Sequence, residues 1–182
     1  MKKIESLQHK LLIAMPNLED PYFSQSVVYL YEHDETGSTG FIINKPMDIT
    51  MGEILERIDI PCEANESNKQ PMLLGGPVKQ EQMFLIHSER RNKGEATPFF
   101  LSSSKEILSK IGMGEQKNVM AFLGYASWTP GQLEQEIKEN SWLIASVDHD
   151  LLYKVPFSER YDMATLQMGF NISQLSEQVG NA

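Results

Sequence analysis

The chain has 182 residues, 41% hydrophobic and 23% charged, with a formal net charge of −9. A chain of this length buries about 70% of its unfolded surface, which excludes disorder of the whole chain and predicts one domain over residues 1–182. The acidic balance opposes contact with nucleic-acid phosphates, and the single cysteine, Cys62, excludes an intrachain disulfide and fits a reducing compartment.

Met1-Lys2-Lys3 has the charge of a signal n-region, but the apolar run that follows, Leu11–Met15, is too short for an h-region and lacks a small-residue cleavage site. No run reaches the ~20 apolar residues of a membrane-spanning helix. The expected location is therefore the cytoplasm, with no membrane partner.

Leu11–Met15 reads as a buried strand ended by Pro16. Ser26–His33 is β-branched and aromatic and reads as a second strand. Asp34–Gly40 is a hairpin loop, Gly40–Asn44 the returning strand, and Lys45-Pro46 its stop. Met51–Ile58 is a short helix, with Thr50 and Glu53 spaced as a capping box. Pro61–Pro71 has few apolar residues and is the best candidate for a mobile loop; Cys62 within it is an ordinary free thiol.

Met72–Leu74 is a strand entering Gly75-Gly76-Pro77, Met83–His87 another, with a turn at Gln80–Gln82, and Phe99–Leu101 a third. Glu89–Lys93 is the densest basic group and sits in a loop, which favours a solvated role over an anion or partner patch. Ser102–Ile111 is helical, closed by Gly112 and Gly114. Val119–Leu123 is an uninterrupted apolar strand covered on both faces. Gly124–Trp128 leaves it, and Thr129-Pro130-Gly131-Gln132 opens a helix with Thr129 as N-cap. Trp142–Val147 and Leu151–Val155 read as strands, Ser158–Gly169 as a helix, and Ile172–Val179 as a last short helix. Hairpin-like joins outnumber helical crossovers, so the fold class is α+β.

No phosphate loop, dinucleotide fingerprint, zinc-protease motif or nucleophile elbow is present, so no catalytic residue, cofactor or metal is assigned. Gly75-Gly76-Pro77 is a forced turn or a set of backbone amides lining a ligand site. His33 and His87 lie at the exits of predicted strands; neighbouring parallel strands would bring them together beside Glu32 or Asp34, against the plainer reading of structural histidines. Asn44 and Lys45 also lie at a strand exit, where Lys45 binds an anion or, more plainly, pairs with a surface carboxylate. Tyr125 and Trp128 flank a helix start that carries Gln132 and Glu134, and they either stack a planar ligand or belong to the core.

Several segments together carry a resemblance. They are Leu12–Pro16, Asp20-Pro21, Phe23, Ser26–Tyr29, Glu32-His33, Gly40–Pro46, Gly75–Val78, Leu85–His87, and Leu123–Trp128 continuing through Gly131–Ile137 to Asn140 and Trp142. In order and spacing the chain resembles the YqgE/AlgH family of bacterial proteins over nearly its whole length. Two positions depart from that pattern: Arg160-Tyr161 stands where the family usually has Arg-Trp, and Asn181 where a His often precedes the final Ala. The resemblance implies a compact α+β fold whose strongly curved mixed sheet forms a partial barrel. It brings no established activity, and its label associates the family with transcriptional regulation of alginate synthesis.

Together these observations favour a non-catalytic module that binds an unknown small molecule or protein and acts on transcription indirectly, centred on Tyr125, Trp128, Gln132, Gly75 and Gly76. The alternative is an enzyme built from His33, Asn44, Lys45, His87 and Glu134. Direct nucleic-acid binding is disfavoured by charge.

Overall fold

A computed structural model describes residues 5–88, 99–169 and 171. In chain order the first half runs β1 (Lys10–Ala14), β2 (Val27–Asp34), β3 (Gly37–Ile42), β4 (Pro46–Thr50), α1 (Met51–Arg57), α2 (Glu66–Lys69), β5 (Pro71–Leu74) and β6 (Val78–Ser88). The second runs β7 (Phe99–Ser102), α3 (Lys105–Gly112), β8 (Val119–Trp128), α4 (Gln132–Lys138), β9 (Trp142–Ser146), α5 (His149–Tyr153), a 3-10 turn (Phe157–Glu159) and α6 (Arg160–Gln167).

The nine strands form one mixed sheet in the order β4-β5-β8-β3-β2-β1-β9, with β6 also paired to β8 and β7 to β6. Among the described residues only β5–β8 is parallel, and every other pair is antiparallel. The α+β class and the mixed sheet are as expected. The sheet is open and only moderately curved, so it does not close into a barrel.

β8 organises the molecule. Its first half pairs with β5 and β6, and its last three residues pair with β3. Alternation along β1 and β2 feeds two faces, both apolar. Leu11, Ile13, Val27 and Tyr29 join Phe41, Leu152, Tyr161 and Ala164 under α5 and α6. Leu12, Ala14, Val28 and Leu30 join Trp128, Leu133 and Trp142 on the α4 side. A third cluster packs Met51 and Leu55 of α1 and Leu108 and Ile111 of α3 against Leu85 and Ala121. Each such fully buried aliphatic contributes about 1.5–3 kcal/mol.

The capping box at α1 forms: Glu53 N–H donates to Thr50 Oγ1 at 3.3 Å, and Thr50 N–H to Glu53 Oε2 at 2.7 Å. Several boundaries move for physical reasons. Leu151–Val155 is not a strand. Asp148 Oδ1 accepts the Asp150 N–H at 2.9 Å and starts α5, and Leu151 and Leu152 turn together into the core. The returning strand β3 ends at Ile42, ahead of Lys45-Pro46, and Pro46 is the first residue of the next strand, β4, which among the described residues pairs with β5.

The 61–71 segment carries the short helix α2. Asn65 caps α2, and buried Asn68 donates to Glu63 O at 2.6 Å and Gly112 O at 3.0 Å. No turn interrupts residues 80–82, because β6 runs through with a register shift between Val78 and Met83. α3 starts at Lys105 behind Ser104. Gly124–Trp128 stays in β8, and α4 starts only at Gln132 behind Gly131, whose φ is 77°. The expected helix at 172–179 lies outside the described residues.

Candidate functional site

The β2–β3 hairpin sets Ser38 opposite both His33 and Trp128, so the end of β8 and the start of α4 lie beside His33. His33 is 5% exposed. Its Nδ1 accepts the Leu7 N–H at 3.0 Å, which places the ring proton on Nε2, and Nε2–H donates to Glu134 Oε1 at 3.0 Å. Both ring nitrogens are therefore committed, and the pair fastens the residues before β1 and α4 to the hairpin. Glu134→Ala strands a buried imidazole N–H and is expected to lower stability by about 1–2 kcal/mol, measured by urea denaturation. A loss near zero would show that the bond carries no weight.

Next to this clamp, Trp128 is 3% exposed and packs edge-on to Trp142 at 6.0 Å and against Phe23 at 5.9 Å. Its indole N–H donates to Glu136 Oε2 at 2.9 Å, and the Trp142 indole N–H donates to the same oxygen at 2.8 Å. Glu136 Oε1 accepts Gln132 Nε2 at 2.9 Å, and Gln132 Oε1 accepts the Thr129 N–H at 3.0 Å. Trp128 is thus core, and Gln132 ties the turn before α4. Tyr125 is half-buried, packed edge-on to Phe84 at 5.5 Å, on the opposite face from Trp128. The two aromatics do not form a common platform.

The other candidates are structural where their partners are defined. Asn44 accepts the Val27 N–H at 2.9 Å and donates to Gln25 O at 2.9 Å. Val27 is six residues along β2 from His33, roughly 20 Å at about 3.3 Å per residue. Lys45 Nζ donates to Tyr22 O at 2.6 Å, and burial holds its pKa below the usual lysine value. Gly75 N–H is committed to Leu123 O at 2.9 Å, and a Cβ on Gly75 would sit 2.2 Å from Gly124 O. At Gly76 a Cβ would meet the Tyr125 carbonyl at 2.3 Å. These glycines let one chain segment cross another with no room for side chains.

His87 is buried, stacked on Phe100 at 5.5 Å, and opposite Val119 at the far end of β8. Val119 and Trp128 are nine residues apart, roughly 30 Å at strand rise, so the structure does not bring His87 to His33. Among the described residues no three His, Cys, Asp or Glu side chains group as metal ligands.

The structure offers a different concavity. A cavity of about 190 Å³ opens where the first residues of β5 and β8 meet the segment from α5 into α6. Leu73, Val119, Ala121, Leu152, Val155 and Phe157 give it apolar walls, and Gln70, Tyr153, Lys154 and Arg160 are its polar lining residues. Arg160 is 3% exposed. Its Nε donates to Val155 O at 3.0 Å, one terminal nitrogen to Ile43 O at 2.6 Å, and the other to Leu152 O at 2.7 Å. The guanidinium lies over the Phe157 ring at 4.2 Å. Burial lowers its pKa to about 10, which leaves it cationic at neutral pH.

Among the described residues no carboxylate comes within salt-bridge distance of Arg160. Burial raises the Tyr153 phenol to about 12, so it remains a donor. Its hydroxyl is sealed from solvent, with Ser88 beside it. Of these lining residues only Arg160 falls in a quoted pattern, the Arg160-Tyr161 pair where the family usually has Arg-Trp. The available signal is an arginine at the head of the stripe Arg160, Tyr161, Ala164, Thr165, all buried.

A family model described as AlgH-like matches residues 11–173. A UPF0301 protein of Legionella pneumophila (strain Lens) is 43% identical over 189 aligned positions covering 100% of both chains. One of Shewanella oneidensis is 40% identical, covering 98% of this chain and 100% of its own. The solution structure of the AlgH protein from Pseudomonas aeruginosa superposes with a TM-score of 0.75 at 34% identity, covering 100% of this chain and 99% of that one. A Corynebacterium diphtheriae crystal structure, at 20% identity and TM-score 0.72 over 97% of this chain and 94% of its own, shares the fold.

Proposed function

This chain belongs to the AlgH-like family, for which no biochemical activity is established, and from that premise we propose that it is a non-catalytic module that binds a small molecule in the cavity between β8 and the α5–α6 segment. The observation that carries this reading is the cavity itself: apolar walls with a few convergent polar groups are the usual make-up of a ligand pocket. The enzyme alternative is weaker. His33 and Glu134 meet, but both ring nitrogens of His33 are committed, to Glu134 and to Leu7, while Asn44, Lys45 and His87 stand far from them along the strands.

A regulatory role would run through the ligand and a protein surface, since a net charge of −9 opposes direct nucleic-acid contact. Among the described residues no helix is long and apolar enough to cross a membrane. A reducing compartment such as the cytoplasm suits the free Cys62 thiol.

The test is a thermal-shift screen of small neutral and anionic molecules on the full chain. A ligand at a hundred times its Kd is expected to stabilise the wild type by about 2.7 kcal/mol. Ala121→Leu, which fills the cavity, is expected to abolish that gain while remaining folded. If no small molecule stabilises the wild type, or if Ala121→Leu responds equally, the cavity is not the binding site.

A further inference from the structure

Resting on that reading, we infer that the cavity recognises the carboxylate of a small monoanionic organic acid, with Arg160 as its donor and the apolar part of the wall as the seat for the body of the acid. A guanidinium has five N–H donors. Val155 O, Ile43 O, Leu152 O and, weakly, the Met120 sulfur at 3.8 Å take four. One N–H and the whole positive charge stay uncommitted among the described residues.

A buried cation without a counter-charge is costly, and an anion delivered to it gains by neutralising it. Arg160 itself is held rigidly by three backbone carbonyls, so little ordering is needed when a ligand arrives. A guanidinium N–H to a carboxylate is a charge-assisted hydrogen bond, roughly twice as strong as a neutral one.

Size and polarity narrow the class. The cavity, at about 190 Å³, is somewhat larger than the roughly 150 Å³ space that accommodates benzene in a dry protein interior. It is too small for a nucleotide. Lys154 on the lining is already paired with Asp150 at 2.8 Å, the Leu, Val and Phe walls would leave most oxygens of a phosphate unsatisfied, and the three carbonyls around Arg160 disfavour a dianion. An aromatic or branched aliphatic acid fits both the walls and the charge.

The experiment titrates the full wild-type chain by calorimetry with sodium benzoate, with benzyl alcohol as a neutral partner of similar shape, and with inorganic phosphate. Benzoate is expected to bind at least about tenfold tighter than benzyl alcohol, the ratio that one charge-assisted hydrogen bond supplies, with no measurable phosphate binding. Ala121→Leu, which fills the cavity, is expected to abolish benzoate binding, a control that does not depend on Arg160 substitutions folding. Equal binding of benzoate and benzyl alcohol would overturn carboxylate recognition and leave the cavity as a neutral site. Tighter binding of phosphate would overturn the ligand class. Binding of none of the three would remove the cavity as a site, and this inference with it.

Discussion

Arg160→Met is expected to lower the free energy of unfolding by about 3–5 kcal/mol, read from urea denaturation of the full chain. Methionine keeps the length and removes every strong donor. Ile43 O, Leu152 O and Val155 O then lose their partner together, and each buried unsatisfied acceptor costs about 1–3 kcal/mol. Those carbonyls belong to three places: the residue after β3, α5, and the turn into α6. Arg160→Lys is expected to recover only part of the loss, because an ammonium cannot span three carbonyls held in a fixed fork. With typical domain stability at about 5–15 kcal/mol, the methionine variant sits near the folding threshold. A loss below about 1 kcal/mol would mean that water replaces the guanidinium without cost, and that Arg160 is not a rigid part of the cavity.

Glu136→Ala is the second large effect, at about 2–4 kcal/mol, since it strands two indole donors in the core at once. The chain has only two tryptophans, and both donate to this one carboxylate oxygen. Intrinsic fluorescence therefore reports the site without interference. The expected emission moves to longer wavelength as water reaches the indoles. Glu136→Gln keeps an acceptor in place and is expected to lose roughly half as much, because the amide nitrogen cannot serve where the carboxylate did. If Glu136→Ala left both emission and stability unchanged, the α4–β9 corner would be held by ring packing alone.

The sheet was largely legible where patterning is strong. β1 and β2 stand out because an apolar run of strand length bounded by Pro16 or by polar residues has few other readings. Thr50 with Glu53 marks the start of α1 because the capping box is a local hydrogen-bond pattern, independent of the rest of the fold. Leu151–Val155 is different. Five residues are too few to separate a strand from a single buried helical turn by period, and the decision falls to Asp148 and to packing under the sheet.

That one element explains why the cavity was hidden from the sequence. With 151–155 taken as a strand, Tyr153 and Arg160 have no reason to share a wall with Ala121. The residues chosen for chemistry were polar groups at strand exits, and most of them hold the backbone together. His33 joins Glu134 and Leu7, Asn44 joins Val27 and Gln25, and Lys45 joins Tyr22. Glu136 was visible only as a charge near the helix start, since its partners Trp128 and Trp142 reach it through tertiary contact.

The most direct test is an NMR measurement of intermolecular contacts between benzoate and the methyl-labelled full chain. Cross-peaks from the ring protons to the methyl groups of Val119, Ala121 and Val155 are predicted. Cross-peaks confined to residues around Trp128 and Gln132, or none with a saturating acid, would contradict a ligand site beside Arg160.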